Sequence, residues 1–384
     1  MTTTTTSIVV IGGSYAGIGV SHGLLQQLPN IKVTLINPST DLSYNIASPR
    51  FLTKPDLIPE ERYIFSIPDA FKKYSTDSFQ FVHGKAKEIN LENKLVSVEG
   101  STEDIKYDYL VIASGSTTPA SIGKESFPAP FKAPIDGDVR DAIKKTHSAI
   151  GVSKSIIIGG AGPVGVEFAG ELVEVFGGDA KKEITLISGT EKPLASLMNS
   201  AQDAAAQILR DKGVTLKTSA QIEKAEYDDT AKQWTVTLAG GETLKADLYI
   251  SAMGTIPNNN FIPSSLLDKE GWVGVDKHLR ALNDKGDAES NVYALGDISS
   301  HKDRLLLRVP PQIATVVANL KHDITGDGGL RVYLPEEEWM AMLVPIGRST
   351  GTGVIGNWRV WGFLVSFMKG RDFLIGKAPS LVQG

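Results

Sequence analysis

Short runs of apolar, mostly β-branched residues that lead directly into glycine recur along this chain. The first run, at residues 8–11 (IVVI), enters a glycine-rich turn at residues 12–17 (GGSYAG). Four consecutive β-branched residues are typical of a parallel strand covered on both faces. Residues 18–28 then have the apolar content of a helix, which we expect to end at Pro29. The pattern predicts a strand–turn–helix unit whose helix start faces a phosphate.

The same pattern returns about 150 residues later, where residues 155–165 read SIIIGGAGPVG and precede a helical run at 168–176. This copy has the full G-x-G-x-x-G spacing, whereas the first copy has Ser14 at the middle glycine position. One such turn is a weak signal, because glycine also serves in ordinary connections. Two copies in matched context indicate two dinucleotide sites.

Further apolar strands complete each unit and end in small residues. Second strands are expected at 32–36 and 183–187, and others at 79–95, 106–114, 247–252 and 291–297. The strands at 106–114 and 247–252 close on Gly115 and Gly254, a corner at which backbone can approach a ligand closely. The sequence therefore predicts an α/β fold with ligand sites at the carboxyl ends of its strands.

A proline-rich stretch at residues 119–134 marks the first domain boundary. We predict a discontinuous first dinucleotide-binding domain from residues 1–120 and 258–330, a second dinucleotide-binding domain at 121–257, and a small α+β domain at 331–384.

The last domain differs in character from the rest of the chain. Residues 347–356 form a glycine-rich, hairpin-like stretch, and residues 358–376 interleave aromatic with basic residues. Residues 346–384 contain five basic residues against one acidic residue. Such an amphipathic stretch suits a peripheral membrane contact, but also a helix docked on the protein body or at a homodimer interface.

Composition narrows the functional classes. The 384 residues are 41% hydrophobic and 22% charged, as is ordinary for a globular protein, and the net charge of −5 argues against a nucleic-acid partner. Cysteine is absent, which excludes disulfides, zinc–thiolate sites and dithiol relays. The six histidines are dispersed, so we expect no metal site.

The first residues carry no targeting signal that we recognise. Residues 1–6 are polar and threonine-rich, without the basic and apolar regions of a signal peptide. Residue 2 is threonine, which is not an N-myristoylation acceptor. No window of 18 apolar residues suggests a transmembrane helix. The expectation is a cytoplasmic protein, with the option of peripheral membrane contact.

Glycine turn, small-residue corner, second turn, second corner and a terminal Gly296-Asp297, in that order, resemble the two-dinucleotide-domain flavoprotein superfamily. Glutathione-reductase-like enzymes, type II NADH dehydrogenases and apoptosis-inducing-factor relatives belong to it. Residues 44–50, 347–353 and 369–372 are similar to its ferroptosis-suppressor/AMID-like branch. The resemblance implies two Rossmann-like domains of the glutathione-reductase type, binding FAD first and NAD(P)H second. The branch comprises NAD(P)H-dependent quinone reductases at membrane surfaces.

Candidate cofactor-binding residues follow from the sequence motifs and from the family resemblance. The resemblance places around FAD the residues Gly12, Gly13, Gly17, Asn37, Gly115 and Asp297. It places around the nicotinamide nucleotide the residues Gly160, Gly162, Gly165 and Glu167. Their neighbours Ser14, Ala113, Pro163 and Ser188 are included, as are Arg50, for the cofactor phosphates, and Pro311 and Gln312. The last two begin a helix whose positive end would face the flavin N1/O2 edge.

Three of the candidate positions differ from the usual pattern or have more than one interpretation. Asn37 stands where the fold usually has an acid that binds ribose, so it can form hydrogen bonds but carries no charge. Asp297 is suited to a ribityl hydroxyl, or alternatively to capping the helix that follows. Ser188-Gly189-Thr190 lacks the acid that repels a 2′-phosphate, and Lys192 is nearby. We therefore expect both NADH and NADPH to be accepted.

Three residues are candidates for the chemistry itself. Glu167, two residues after Gly165, is expected to project toward the point where the two cofactor rings meet, or alternatively to be an acid favoured in a first helical turn. Lys54 is a candidate partner for it, and the branch resemblance makes Lys369 a neighbour of the acceptor pocket.

The function expected is hydride transfer from NAD(P)H to FAD and then to a quinone or a small aromatic acceptor. Two alternatives stay open. One is a soluble FAD-dependent oxidase or tailoring oxidoreductase that acts on an aromatic or polyketide-like metabolite. The other is a redox-sensing flavoprotein that does not turn over.

Overall fold

The computed structural model describes residues 5–134, 137–177, 182–302, 304–334 and 341–384. Residues 1–4, on which the expectations about a signal peptide and N-myristoylation partly rest, lie outside the described residues. Among the residues that are described, none of the helices combines the length and the apolar composition that a transmembrane span requires.

The first third of the chain is rich in strands. Its elements are β1 (Thr6–Ile11), α1 (Tyr15–Gln27), β2 (Ile31–Asn37), β3 (Asp41–Ser43), α2 (Ser48–Phe51), β4 (Ile64–Ser66), α3 (Ile67–Ala70), β5 (Phe79–His83), β6 (Ala86–Asn90), β7 (Leu95–Val98), β8 (Ile105–Lys106), β9 (Tyr109–Ile112) and β10 (Ser116–Thr117).

The middle third alternates helices and strands before it adds an antiparallel sheet. Its elements are α4 (Val139–Val152), β11 (Ser155–Gly159), α5 (Pro163–Phe176), β12 (Glu183–Ile187), α6 (Asn199–Asp211), β13 (Thr215–Lys217), β14 (Ile222–Asp228), β15 (Gln233–Leu238), β16 (Thr243–Ala246), β17 (Leu248–Ser251) and β18 (Ile256–Pro257).

The last third returns to the first sheet and then forms a separate small one. Its elements are β19 (Arg280–Leu282), β20 (Ala288–Ala294), α7 (Val309–Thr325), β21 (Ala341–Pro345), β22 (Gly351–Ile355), β23 (Trp358–Val360), α8 (Gly362–Val365) and α9 (Ala378–Gln383).

A six-stranded sheet in the order β19-β20-β9-β1-β2-β5 forms the first core. β1 pairs in parallel with both β2 and β9, and its residues Ile8, Val9 and Val10 are fully buried. Side chains of β1 therefore pack on both faces of the sheet, as the uninterrupted apolar run predicted. The α/β fold with Rossmann-like parallel sheets is confirmed.

The second glycine unit builds a four-stranded parallel sheet in the order β13-β12-β11-β17. A three-stranded antiparallel sheet, β14-β15-β16, packs beside it through Val236, Leu238 and Tyr249. The chain leaves and re-enters the first part through β10 and β18, which pair antiparallel. The boundaries of the three proposed domains stay a prediction.

The C-terminal segment is more irregular than its composition suggested. Within the hairpin-like stretch predicted at 347–356, residues 351–355 form the central strand of the antiparallel sheet β21-β22-β23. Residues 358–376 do not form one amphipathic helix, because they divide into β23, α8 and a π-helical turn (Ser366–Gly370). This sheet lies against α5, where a Cβ at Gly170 would be 2.7 Å from Ile346 Cα.

A buried histidine ties the last residues of the chain to α1. The ring of His22 stacks on Phe71 with centroids 4.1 Å apart, and its Nε2 is 2.9 Å from the Val382 carbonyl oxygen. A carbonyl only accepts, so Nε2 donates and Nδ1 accepts from the Tyr74 hydroxyl at 3.0 Å. Burial lowers the pKa of His22 to about 4, although the hydrogen bond to Val382 opposes this.

We expect this histidine to make the protein less stable in mild acid. Its pKa is about 6.5 in an unfolded chain and about 4 when folded, so the unfolded state binds the proton first as the pH falls between these values. The stability contributed at neutral pH is therefore lost from about pH 6.5 downward. Between pH 7 and pH 5, the free energy of unfolding should fall by about 1–2 kcal/mol more in the wild type than in His22→Gln.

Denaturant unfolding at several pH values measures this difference. His83→Gln, at an exposed position, is the matched control and should keep the wild-type pH dependence. Equal pH dependence in the wild type and His22→Gln would contradict the role assigned to His22.

Candidate functional site

The first glycine turn leaves no room for a side chain at Gly12 or Gly17. Gly12 has a φ of +113°, and a Cβ on it would lie 2.2 Å from the Ala113 carbonyl oxygen. A Cβ on Gly17 would lie 1.8 Å from the Gly12 carbonyl oxygen. The turn thus fits directly against the small-residue corner after β9, which brings these two predicted features together.

Asn37 stabilises this turn. Its Oδ1 accepts a hydrogen bond from the Gly13 N–H at 2.7 Å, and its Nδ2 donates to the Ser39 carbonyl oxygen at 2.7 Å. An aspartate could accept the first bond but could not donate the second. The asparagine is therefore suited to this loop, and its contact with a ribose stays a prediction.

Both helices that follow glycine turns begin without a side-chain cap among the described residues. The N-cap residues are Ser14 for α1 and Gly162 for α5, and Pro163 occupies the first turn of α5. The unpaired first-turn N–H groups, together with the positive end of the helix dipole, favour a phosphate at each start. Ser14 leaves these groups accessible, since it makes no capping hydrogen bond.

A depression of about 250 Å³ lies at the start of α5 and the carboxyl end of β12. Its lining residues are Ala161, Gly162, Ser188, Gly189, Thr190 and Leu194. The small side chains at this edge leave space that fits an adenosine moiety. Lys192 nearby forms an ion pair with Asp203 at 2.6 Å, so any 2′-phosphate would compete with that carboxylate.

Asp297 and Gln312 meet at the carboxyl end of the first sheet. Gln312, in the first turn of α7, is 2% exposed and accepts from the Gly296 N–H at 2.7 Å. Asp297 Oδ2 accepts from the Ser116 hydroxyl at 2.8 Å and lies 2.5 Å from Lys132 Nζ. Lys132 and Ser116 were missed by the sequence analysis, because Lys132 lies in a segment that was interpreted only as a linker.

Three glutamates lie on one face of α5, at the spacing that aligns side chains along a helix. The first, Glu167, is 4% exposed, and its Oε1 lies 2.6 Å from Lys369 Nζ. Lys369 Nζ also donates to the Leu343 carbonyl oxygen at 3.0 Å. Burial raises the pKa of Glu167, and the Lys369 ammonium opposes that shift. Two residues predicted separately are thus brought together.

Glu171, one turn further along α5, is fully buried and pairs with Arg50. The guanidinium binds both carboxylate oxygens, with Nε–Oε2 at 2.9 Å and Nη2–Oε1 at 2.7 Å. Nη1 donates to the Arg371 carbonyl oxygen at 2.8 Å, and the group lies 4.6 Å from the centre of the Phe373 ring. The prediction that Arg50 reaches cofactor phosphates does not fit this placement, because its donors are committed inside the protein.

Lys54 contacts the same row of glutamates one helical turn further along α5. Its Nζ is 2.8 Å from Glu171 Oε2 and 2.7 Å from Glu174 Oε1, and Glu174 also accepts from the Arg348 N–H. The predicted pairing of Lys54 with Glu167 is therefore wrong. The loop that carries Lys54 runs along α5 toward its C-terminus, and Lys369 occupies the position beside Glu167.

An exposed aromatic face lies on the C-terminal segment. Its aromatic members, with their exposed fractions, are Trp358 (81%), Trp361 (61%), Phe363 (65%) and Phe367 (64%), and the adjacent Met368 is 42% exposed. Other apolar residues of the segment, among them Phe373 and Ile375, are buried in the body. The segment therefore docks on the protein and still presents aromatic side chains outward.

Two parallel-sheet units, each with a glycine turn at a helix start, define the class of FAD- and NAD(P)H-dependent oxidoreductases. The family model of pyridine nucleotide-disulphide oxidoreductases matches residues 6–320, and the chain belongs to that family. The predicted resemblance to the ferroptosis-suppressor/AMID-like branch is confirmed. The residues at both turns fit the two cofactors, FAD and NAD(P)H.

Similar proteins cover nearly the whole chain. Oxidoreductase ptaL of Pestalotiopsis fici is 33% identical over 98% of each chain. Ferroptosis suppressor protein 1 of Homo sapiens is 27% identical over 96% of this chain and 93% of its own. The solved structure of the Aquifex aeolicus sulfide:quinone oxidoreductase has the same fold, with a TM-score of 0.78, 16% identity, and coverage of 98% of this chain and 91% of that one.

Proposed function

We propose that this protein transfers electrons from NAD(P)H through FAD to a quinone-type acceptor. The observation that carries the proposal is the buried pair of Glu167 and Lys369. It lies where the helix of the second dinucleotide unit meets the C-terminal segment. When bound, FAD supplies the hydride-accepting centre and passes the two electrons on.

The pair supplies a proton at this junction. Reducing a quinone to a hydroquinone consumes two electrons and two protons, and a hydride brings both electrons but only one proton. Lys369 Nζ faces two acceptors, Glu167 Oε1 and the Leu343 carbonyl oxygen, which keep its ammonium in place. Lys369 then donates the second proton to an acceptor oxygen, and solvent restores it.

The exposed aromatic face supports a membrane contact. Trp361, Phe363 and Phe367 are exposed beside the basic residues Arg359 and Arg371, the composition of an interfacial segment. A lipid-soluble quinone would then reach the Lys369 side of the protein from the membrane. Similarity to the ferroptosis suppressor proteins supports the assignment to this branch.

A second candidate function is the reduction or oxidation of a small aromatic metabolite in solution. We consider it because oxidoreductases ptaL and phnG are 33% and 32% identical to this chain, whereas the ferroptosis suppressor proteins are 25–27% identical. The same Glu167–Lys369 pair would serve an aromatic ketone or phenol, because the required proton transfer is the same.

Anaerobic stopped-flow absorbance of the flavin tests the quinone function. NADH and NADPH should each bleach the flavin, at rates within about a hundredfold, equivalent to about 2.7 kcal/mol. A water-soluble quinone should then reoxidise it. Lys369→Met should slow reoxidation by about 10²-fold and bleaching by less than about threefold, because the lysine acts on the acceptor.

Lys377→Met, an exposed lysine of the same segment, is the matched control and should change neither rate. Equal slowing of both half-reactions in Lys369→Met would contradict the assigned role. Failure of any quinone to reoxidise the flavin, with bleaching by a metabolite in place of the nucleotide, would support the second candidate. A stable charge-transfer complex without turnover would indicate a non-catalytic redox sensor.

Vesicle sedimentation tests the membrane contact. The protein should sediment with phosphatidylcholine vesicles that contain phosphatidylserine, and a Trp361→Ser, Phe367→Ser variant should lose most of that binding. Tyr227→Ser, which removes an exposed aromatic ring elsewhere, should bind as the wild type does. Unchanged sedimentation of the double variant would contradict the contact. Conversion of a dimer to a monomer would assign the face to a second copy of the chain.

A further inference from the structure

A lysine from the connecting segment reaches the carboxylate at the end of the first sheet. Lys132 Nζ lies 2.5 Å from Asp297 Oδ2 and also contacts the Ser116 hydroxyl. The Lys132 and Asp297 side chains are 20% and 25% exposed, so the pair is mostly withdrawn from solvent. Attraction between the two charges is stronger here than on an open surface, because less water screens it.

The backbone around Lys132 is fixed. Its N–H donates to the Ser121 hydroxyl at 3.2 Å. The preceding Phe131 is 4% exposed and packs edge-on against Phe168, with ring centroids 5.1 Å apart. Phe168 directly follows Glu167 in α5. The lysine is therefore held between α5 and the first sheet, which a solvated linker residue would not be.

The position of the Asp297 carboxylate explains how the pair can affect a bound cofactor. Asp297 lies at the carboxyl end of β20, at the edge of the sheet where a dinucleotide of this fold binds. An unpaired carboxylate at this edge would oppose reduction of the cofactor, because reduction adds negative charge close to an existing one. An ammonium bound to that carboxylate removes most of this penalty.

We propose that Lys132 is a positioning residue that neutralises Asp297 and thereby favours the reduced state of bound FAD. The proposal concerns the cofactor alone and does not depend on which acceptor the enzyme uses. Lys132 orients Asp297 together with Ser116, and its positive charge raises the reduction potential of the flavin.

The reduction potential of the FAD-loaded protein tests this proposal directly. Equilibration with a reference dye during enzymatic reduction gives the potential without any turnover measurement. Lys132→Gln should weaken the binding of reduced FAD about tenfold relative to that of oxidised FAD. This change lowers a two-electron potential by about 30 mV. Lys132→Arg, which keeps the charge, should retain a potential close to that of the wild type.

Two controls separate charge from general disturbance. Lys124→Gln, an exposed lysine of the same connecting segment, should leave the potential unchanged. In an Asp297→Asn background, Lys132→Gln should shift the potential much less than in the wild type, because the carboxylate is already gone. Lys132→Met repeats the measurement if the glutamine variant does not fold.

Three results would overturn the proposal. One is a potential in Lys132→Gln that equals that of the wild type or lies above it. Another is a fall of the reduction potential in Lys132→Arg that is as large as the fall in Lys132→Gln. The third is a folded Lys132→Gln protein, judged by its melting temperature, that purifies without flavin, since Lys132 would then hold the oxidised cofactor.

Discussion

The buried ion pair between Arg50 and Glu171 is the interaction on which the arrangement of the candidate site depends. Both side chains are at most 1% exposed, and removing two charges from water is costly unless the geometry is nearly complete. Here the guanidinium binds both carboxylate oxygens and also the Arg371 carbonyl oxygen. The pair thus joins α2, α5 and the C-terminal segment, and deleting one partner would leave an uncompensated charge. The Glu167–Lys369 pair lies one helical turn away and joins two of these parts, α5 and the C-terminal segment.

Electron transfer in this protein must proceed without thiols, because the chain contains no cysteine. Its family is named for disulphide chemistry, yet no residue of this chain can form the dithiol relay that such chemistry uses. Lys369, which pairs with Glu167, and the exposed aromatic face both belong to the C-terminal segment. In the proposed function, this segment supplies both the proton donor and the surface through which the acceptor approaches.

The parts that the sequence predicted correctly are those determined by neighbouring residues. The run at residues 8–11 predicted a buried strand, and the glycines after it predicted the tight turn against Ala113, because strand burial and turn geometry are local properties. The spacing of Glu167, Glu171 and Glu174 places them on one helix face, but it does not say which distant cation meets which carboxylate. Lys54 was therefore given the wrong partner, and Lys132 was missed because only tertiary packing brings it to Asp297.

Hydrogen–deuterium exchange of a Glu171→Gln variant tests most directly whether one ion pair holds the site together. Peptides covering residues 48–54 and 366–373, which belong to different parts of the chain, should lose protection together. Glu183→Gln, at an exposed position of the same unit, should leave both peptides protected as in the wild type. Faster exchange in only one of the two peptides, or unchanged exchange in both, would show that the ion pair does not hold the site together.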